Sequence, residues 1–121
     1  MSLLNYRELG TGPALICLHG LYGYGRNWFS LARQLQASYR VILPDLRNHG
    51  ASFHALQWNY EVMVQDLHQL CDALALESFS LLGHSMGGKL AMAYALDSAH
   101  AIKSRLQHLI IDLNLNWQSK L

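Results

Sequence analysis

One serine in this chain has the surroundings of a nucleophile. Ser85 lies in Ser78-Phe79-Ser80-Leu81-Leu82-Gly83-His84-Ser85-Met86-Gly87-Gly88, where an apolar run enters Gly83-x-Ser85-x-Gly87 and a helix-like stretch follows at once. This is the pattern of a nucleophile elbow, a strand-to-helix turn tight enough to hold a serine hydroxyl clear of a sheet. Gly83 and Gly87 are expected where side chains would collide across the turn, and Gly88 and Ala91 where the helix must lie close to neighbouring strands. The strain that such a turn imposes on Ser85 marks function more often than packing.

A serine hydroxyl at neutral pH is a poor nucleophile. It needs a base within hydrogen-bonding reach, a third group to orient that base, and donors aimed at the oxygen that becomes negative. In an elbow one donor is the backbone N–H of the following residue, here Met86. The second is expected from the loop after the first central strand, His19-Gly20-Leu21, where Gly20 lets the chain turn back and the N–H of Leu21 is the candidate. Taken alone, His19-Gly20 is equally readable as a strand-ending turn.

The elements that would position these groups follow from pattern. Residues 3–9 alternate loosely and close at Gly10-Thr11-Gly12-Pro13, as an edge strand does. Ala14-Leu15-Ile16-Cys17-Leu18 and Val41-Ile42-Leu43 are continuous apolar runs, expected of central strands covered on both faces. Trp28, Leu31, Ala32 and Leu35 recur at helical spacing. Asn59 is a candidate N-cap for a helix whose stripe is Tyr60, Met63, Leu67, Leu70, Cys71 and Leu74. Leu106 to Asp112 reads as a final strand. Such alternation predicts a mostly parallel sheet over 14–18, 40–44, 78–83 and 106–111, with helices on both faces and the strand order reversing beside the elbow. Ligands bind such sheets at the carboxyl ends of the strands. Those ends carry His19-Gly20, Asp45, Gly83-His84-Ser85 and Asp112.

Composition narrows the function classes. The chain has 121 residues, 51% of them hydrophobic, and a formal net charge of +1, with Lys and Arg scattered rather than clustered. That gives one domain with a real core and no nucleic-acid footprint. No apolar run approaches the roughly 20 residues of a membrane span, and the polar start Met1-Ser2-Leu3-Leu4-Asn5-Tyr6-Arg7-Glu8 has no signal core, so a cytoplasmic address is expected. Cys17 and Cys71 lack metal-type spacing and read as buried thiols.

Several motifs occur here in a telling order. They are the His19-Gly20-Leu21-Tyr22-Gly23 loop, the turn Asp45-Leu46-Arg47-Asn48-His49-Gly50-Ala51-Ser52, the Asn59-Tyr60 helix start and Gly83-His84-Ser85-Met86-Gly87-Gly88-Lys89. Together they resemble the α/β-hydrolases, most closely the small bacterial acyl-ester hydrolases typified by the YbfF esterase, up to about Asp112. The resemblance implies an α/β fold and a serine hydrolase for small-molecule acyl esters or thioesters, with no metal and no organic cofactor. It implies Ser85 as nucleophile, the N–H groups of Leu21 and Met86 as oxyanion hole, and a bracing role for Asp45, Arg47, His49 and Ser52. His84, next to Ser85 in a sharp turn, points elsewhere, and Lys89 is expected to be solvated or paired.

The resemblance also has a gap. The family continues into a cap and further strands, the last followed by the catalytic histidine, and this chain ends at Leu121. The expectation is therefore the amino-terminal part of one hydrolase domain, truncated before the cap and last strands, with residues from Asn114 a non-native tail. None of His49, His54, His68, His100 and His108 occupies the base position. Asp112 is either the triad acid or a structural strand-end carboxylate. An edge left bare by missing strands predicts self-association. Without a base, the alternative is an inactive hydrolase-fold fragment or a module binding acyl ligands or a partner. A further alternative is a dinucleotide site built on Gly23-Tyr24-Gly25 and Asp45, weakened because Trp28 stands where a third glycine belongs.

Overall fold

The computed structural model describes residues 2–97 and 105–112; His100 and the segment from Asn114 lie outside the described residues. Five strands, β1 (Tyr6–Leu9), β2 (Ala14–Leu18), β3 (Arg40–Pro44), β4 (Phe79–His84) and β5 (Leu106–Asp112), form one sheet in the order β1-β3-β2-β4-β5. The apolar strands β2 to β5 are mutually parallel, and β1 pairs antiparallel with β3 at one edge. The order therefore reverses between β2 and β4. A crevice opens at the carboxyl ends of strands at such a switch point, and here those ends are the His19 loop and the Ser85 turn.

Period-two alternation sorts the central strands between two cores. Leu15 and Cys17 of β2 and Val41 and Leu43 of β3 pack with Trp28 and Ala32 on one face. Ile16, Leu18 and Ile42 pack with Met63, Leu67, Leu70, Leu90 and Tyr94 on the other. The first face is covered by a 3₁₀ turn (Gly25–Trp28) running into α1 (Phe29–Leu35); the second by α2 (Tyr60–Ala73) and α3 (Met86–Leu96). The α/β architecture with helices on both faces is thus as expected. Burial of the two thiols pushes Cys17 up to about 12 and Cys71 up to about 11, so both behave as core hydrophobes.

Helix α2 starts where the sequence places it, because Asn59 is extended and its Oδ1 accepts the Val62 N–H at 2.9 Å. Its stripe differs at the ends. Met63, Leu67, Leu70 and Cys71 are buried, but Tyr60 is 39% exposed. Immediately after the cap, Tyr60 lines the carboxyl-end crevice instead of the core. Strand β5 forms the far edge of the described sheet, with Leu109 and Ile110 exposed. Among the described residues no helix is long and apolar enough to cross a membrane.

Candidate active site

Ser85 follows the last residue of β4 and caps α3, with φ 54° and ψ −116°. Positive φ is costly for a residue with a Cβ, and it persists only where the surroundings over-determine it. Here the Ser85 N–H donates to the Asp112 carbonyl at 2.8 Å, and the Ser85 carbonyl accepts the Lys89 N–H at 3.0 Å. The hydroxyl makes no capping bond to the helix, which leaves it available for chemistry. A Cβ on Gly83 would collide with the backbone of Gly87 and Gly88, as the turn requires. A Cβ on Gly87 would instead strike the backbone of Leu18 and His19. Gly87 therefore makes room for the end of β2, a role the sequence pattern assigned only to contacts across the turn.

The loop after β2 is held by two buried histidines. His19 Nε2 accepts the Leu46 N–H at 3.0 Å, so the ring proton sits on Nδ1 and is donated to the Gly20 carbonyl at 2.7 Å. Burial pushes the His19 pKa down to about 4, against the Gly20 hydrogen bond, which favours the charged form. His49 repeats the arrangement: its Nε2 accepts the Tyr22 N–H at 3.1 Å, which places the proton on Nδ1, 2.9 Å from the Arg47 carbonyl. Tyr22, at φ 65°, turns the loop, and the Gly23 N–H closes on the Gly20 carbonyl at 3.0 Å. Leu21 lies between these fixed points.

The Asp45 turn braces this loop from below. The Asp45 carboxylate accepts the N–H groups of Gly25 (2.7 Å) and Ala51 (2.9 Å) and the Asn5 amide (3.0 Å). Burial alone would raise its pKa; the Ala51, Gly25 and Asn5 hydrogen bonds and the nearby His19 outweigh that and lower it. The Ser52 hydroxyl donates to the Asp45 carbonyl at 2.5 Å. Arg47 grips Asp66 of α2 through two hydrogen bonds of 2.7 and 2.9 Å and lies over the Phe53 ring. These contacts remove the dinucleotide alternative. The Asp45 carboxylate that would have to meet a ribose already accepts three hydrogen bonds from the chain, and the Gly25 N–H that would face a pyrophosphate is one of the donors.

Leu21, Ser85 and Met86 line one cavity of about 310 Å³, together with Trp58, Asn59, Tyr60, Met63 and Lys89. The two residues singled out as oxyanion donors thus share a space with the nucleophile. Trp58 went unnoticed in the sequence, since nothing in its neighbours marks it. Lys89, expected to be solvated or paired, is exposed and also lines the cavity, since its place four residues after Ser85 puts both on one helix face. Asp112 sits one strand over. His84 is buried, with its Nδ1 3.7 Å from the Asp112 carboxylate.

The other described histidines are engaged elsewhere or open to solvent. His68 meets Asp97 at 2.9 Å beside the Tyr94 ring, His108 lies 3.3 Å from the Ser80 hydroxyl, and His54 is exposed. Among the described residues no histidine is paired with the Ser85 side chain. The strained Ser85 turn and its cavity are thus present with no histidine on Ser85 among the described residues.

Known proteins with this arrangement are numerous. The mouse sn-1-specific diacylglycerol lipase ABHD11 is 44% identical over 95 residues, a match covering 77% of this chain and 31% of the lipase. A marine microorganism esterase superposes with a TM-score of 0.85 at 44% identity, over 92% of this chain and 41% of that one. A thermophilic esterase from Thermogutta terrifontis gives 0.83 at 34% identity, over 89% of this chain and 39% of that one. The chain thus spans about a third of the length of the curated relatives it matches. The alpha/beta hydrolase fold family matches residues 13–119, and this chain belongs to that family.

Proposed function

We propose that this chain supplies the nucleophile and the oxyanion hole of a serine hydrolase that cleaves small acyl esters or thioesters through an acyl-enzyme at Ser85. The observation that carries this reading is the strained Ser85 turn opening into the same cavity as Leu21 and Met86. In the reaction, Ser85 Oγ attacks the acyl carbon as its proton passes to a base, and the carbonyl oxygen becomes negative. The N–H groups of Leu21 and Met86 take that charge; removing one such donor from a hydrolase costs about 10²–10³-fold in turnover. The tetrahedral intermediate collapses, the alkoxide or thiolate leaves with the proton, and water then releases the acid by the reverse sequence. Asp112 orients the base from the end of β5. The base itself is a histidine from outside the described residues, with the rest of the hydrolase domain following this part.

A second reading is that the chain binds acyl ligands or a partner without turnover. The absence of a histidine on Ser85 among the described residues favours it for the chain alone. The two are separated by joining the chain in frame to a carboxy-terminal hydrolase segment that carries a cap and a histidine. Under the hydrolase reading, p-nitrophenyl butyrate turns over and a butyryl mass increment appears on Ser85. Ser85→Ala removes both. A joined protein that folds, binds the ester and never acylates Ser85 supports the binding module instead.

A further inference from the structure

Among the described residues, Lys89 is the one charged side chain lining the Ser85 cavity. It is exposed, and among the described residues no ion pair or hydrogen bond engages its ammonium. Its backbone N–H bonds to the Ser85 carbonyl, so its side chain rises from the same helix face one turn above the nucleophile. The rest of the wall offers no opposing charge, since Leu21, Trp58, Asn59, Tyr60, Met63 and Met86 are neutral. Two helices also begin at this cavity, α2 at Asn59 and α3 at Ser85. Each presents the positive end of its dipole. The first turn of α3 has no acidic residue; that of α2 has Glu61, which is exposed and outside the lining.

Among the described lining residues, a cation thus stands in an otherwise neutral wall beside Ser85, an arrangement that favours an anionic group on the ligand. We infer that this cavity selects acyl esters or thioesters bearing a carboxylate or similar anion within reach of the Lys89 ammonium, with Lys89 pairing that anion. The inference rests on the hydrolase reading above and adds the substrate class. Lys89 is a positioning residue for substrate: it does not touch the reacting atoms. The anion lies either on the acyl part or on the leaving group, and both place the same charge at the same lysine.

The test is a titration of the ¹⁵N-labelled full chain, followed at the amides of Leu21, Ser85, Met86 and Lys89. The ligands are neutral ethyl butyrate, monoethyl glutarate (carboxylate on the acyl side) and 4-acetoxybutanoate (carboxylate on the alcohol side). At least one anionic ester should bind about three- to tenfold more tightly than ethyl butyrate, a range set by a partly exposed ion pair aided by helix dipoles. The preferred ester identifies the side. Lys89→Gln should abolish the preference of the anionic ester over ethyl butyrate, and 0.5 M NaCl should reduce it in the unmodified chain. Equal affinity for all three esters, or a preference that survives Lys89→Gln, overturns the assignment and leaves the hydrolase reading intact. If no ester shifts Leu21, Ser85 or Met86, the ester-site reading fails and takes the inference with it.

Discussion

His19 and His49 each use a bare Nε2 to hold a backbone N–H and an Nδ1 proton to hold a carbonyl, and His19 cannot gain a proton without losing the Leu46 bond. For His19 this has a measurable consequence. Burial brings its pKa from 6.5 to about 4 in the folded chain. Above pH 6.5 both folded and unfolded chains carry it neutral, and its contribution to stability is complete. As pH falls from 6.5 toward 4, the unfolded chain takes up a proton that the folded chain refuses, so stability declines, by up to about 3 kcal/mol. Asp45, lowered below its usual value of 3.8, adds a loss in the same direction below that pH. Urea midpoints measured from pH 7 to 4 should fall, and His19→Gln should lower the pH 7 midpoint while flattening the slope. A midpoint independent of pH over that range contradicts a neutral, buried His19.

Single residues were unevenly legible in the sequence. Ser85, Gly83 and the Asn59 cap announce themselves because their neighbours within four residues define the local geometry. The Tyr22–His49 and Leu46–His19 bonds each span 27 positions, and no local pattern encodes such a pairing. The place of Lys89 in the cavity was hidden differently: its spacing from Ser85 was visible, but the neighbourhood of Trp58, Asn59, Tyr60 and Met63 across from it was not.

Among the elements, α2 has to be placed most carefully, since its first turn forms one wall of the cavity. Core packing fixes its depth, and the Arg47–Asp66 pair, with both side chains nearly buried, fixes it against the Asp45 turn. Removing one partner of a buried pair strands the other charge and costs about 3–5 kcal/mol, whereas an apolar replacement of both is often neutral. Arg47→Met should therefore destabilise the chain by about 3 kcal/mol or more in urea unfolding, and Arg47→Met with Asp66→Leu should recover most of it. A double variant as unstable as the single one contradicts the charge-stranding account. Asn59→Ala should cost about 1 kcal/mol through loss of the cap to Val62. The strands themselves were legible because β2 and β3 are covered on both faces and appear as unbroken apolar runs. Helix α3 was legible mainly through its start at the elbow.

At the scale of the whole molecule, the described sheet is closed at one edge by the short antiparallel β1 and ends at the other with β5. There Ile110 is 53% exposed in a strand of high β-propensity, and an apolar edge of this kind is a template for pairing. The chain by itself should associate, with a mass by light scattering that rises with concentration, and Ile110→Lys should return it to monomer. A concentration-independent monomeric mass for the unmodified chain would refute edge pairing.

The division of the catalytic set is the central claim: nucleophile and oxyanion hole in this chain, base outside its described residues. Losing the base of a serine hydrolase costs on the order of 10⁶-fold in turnover, while the oxyanion hole and binding retain roughly 10³-fold over water. The most direct measurement is p-nitrophenyl butyrate hydrolysis by the purified 121-residue chain, with Ser85→Ala alongside. The account predicts a rate barely above buffer for the chain and the same residual rate for Ser85→Ala, because both keep the oxyanion hole and neither has a base among the described residues. Turnover of about 1 s⁻¹ or more, the ordinary enzymatic range, would contradict it, because it would demand a base that none of the described histidines supplies.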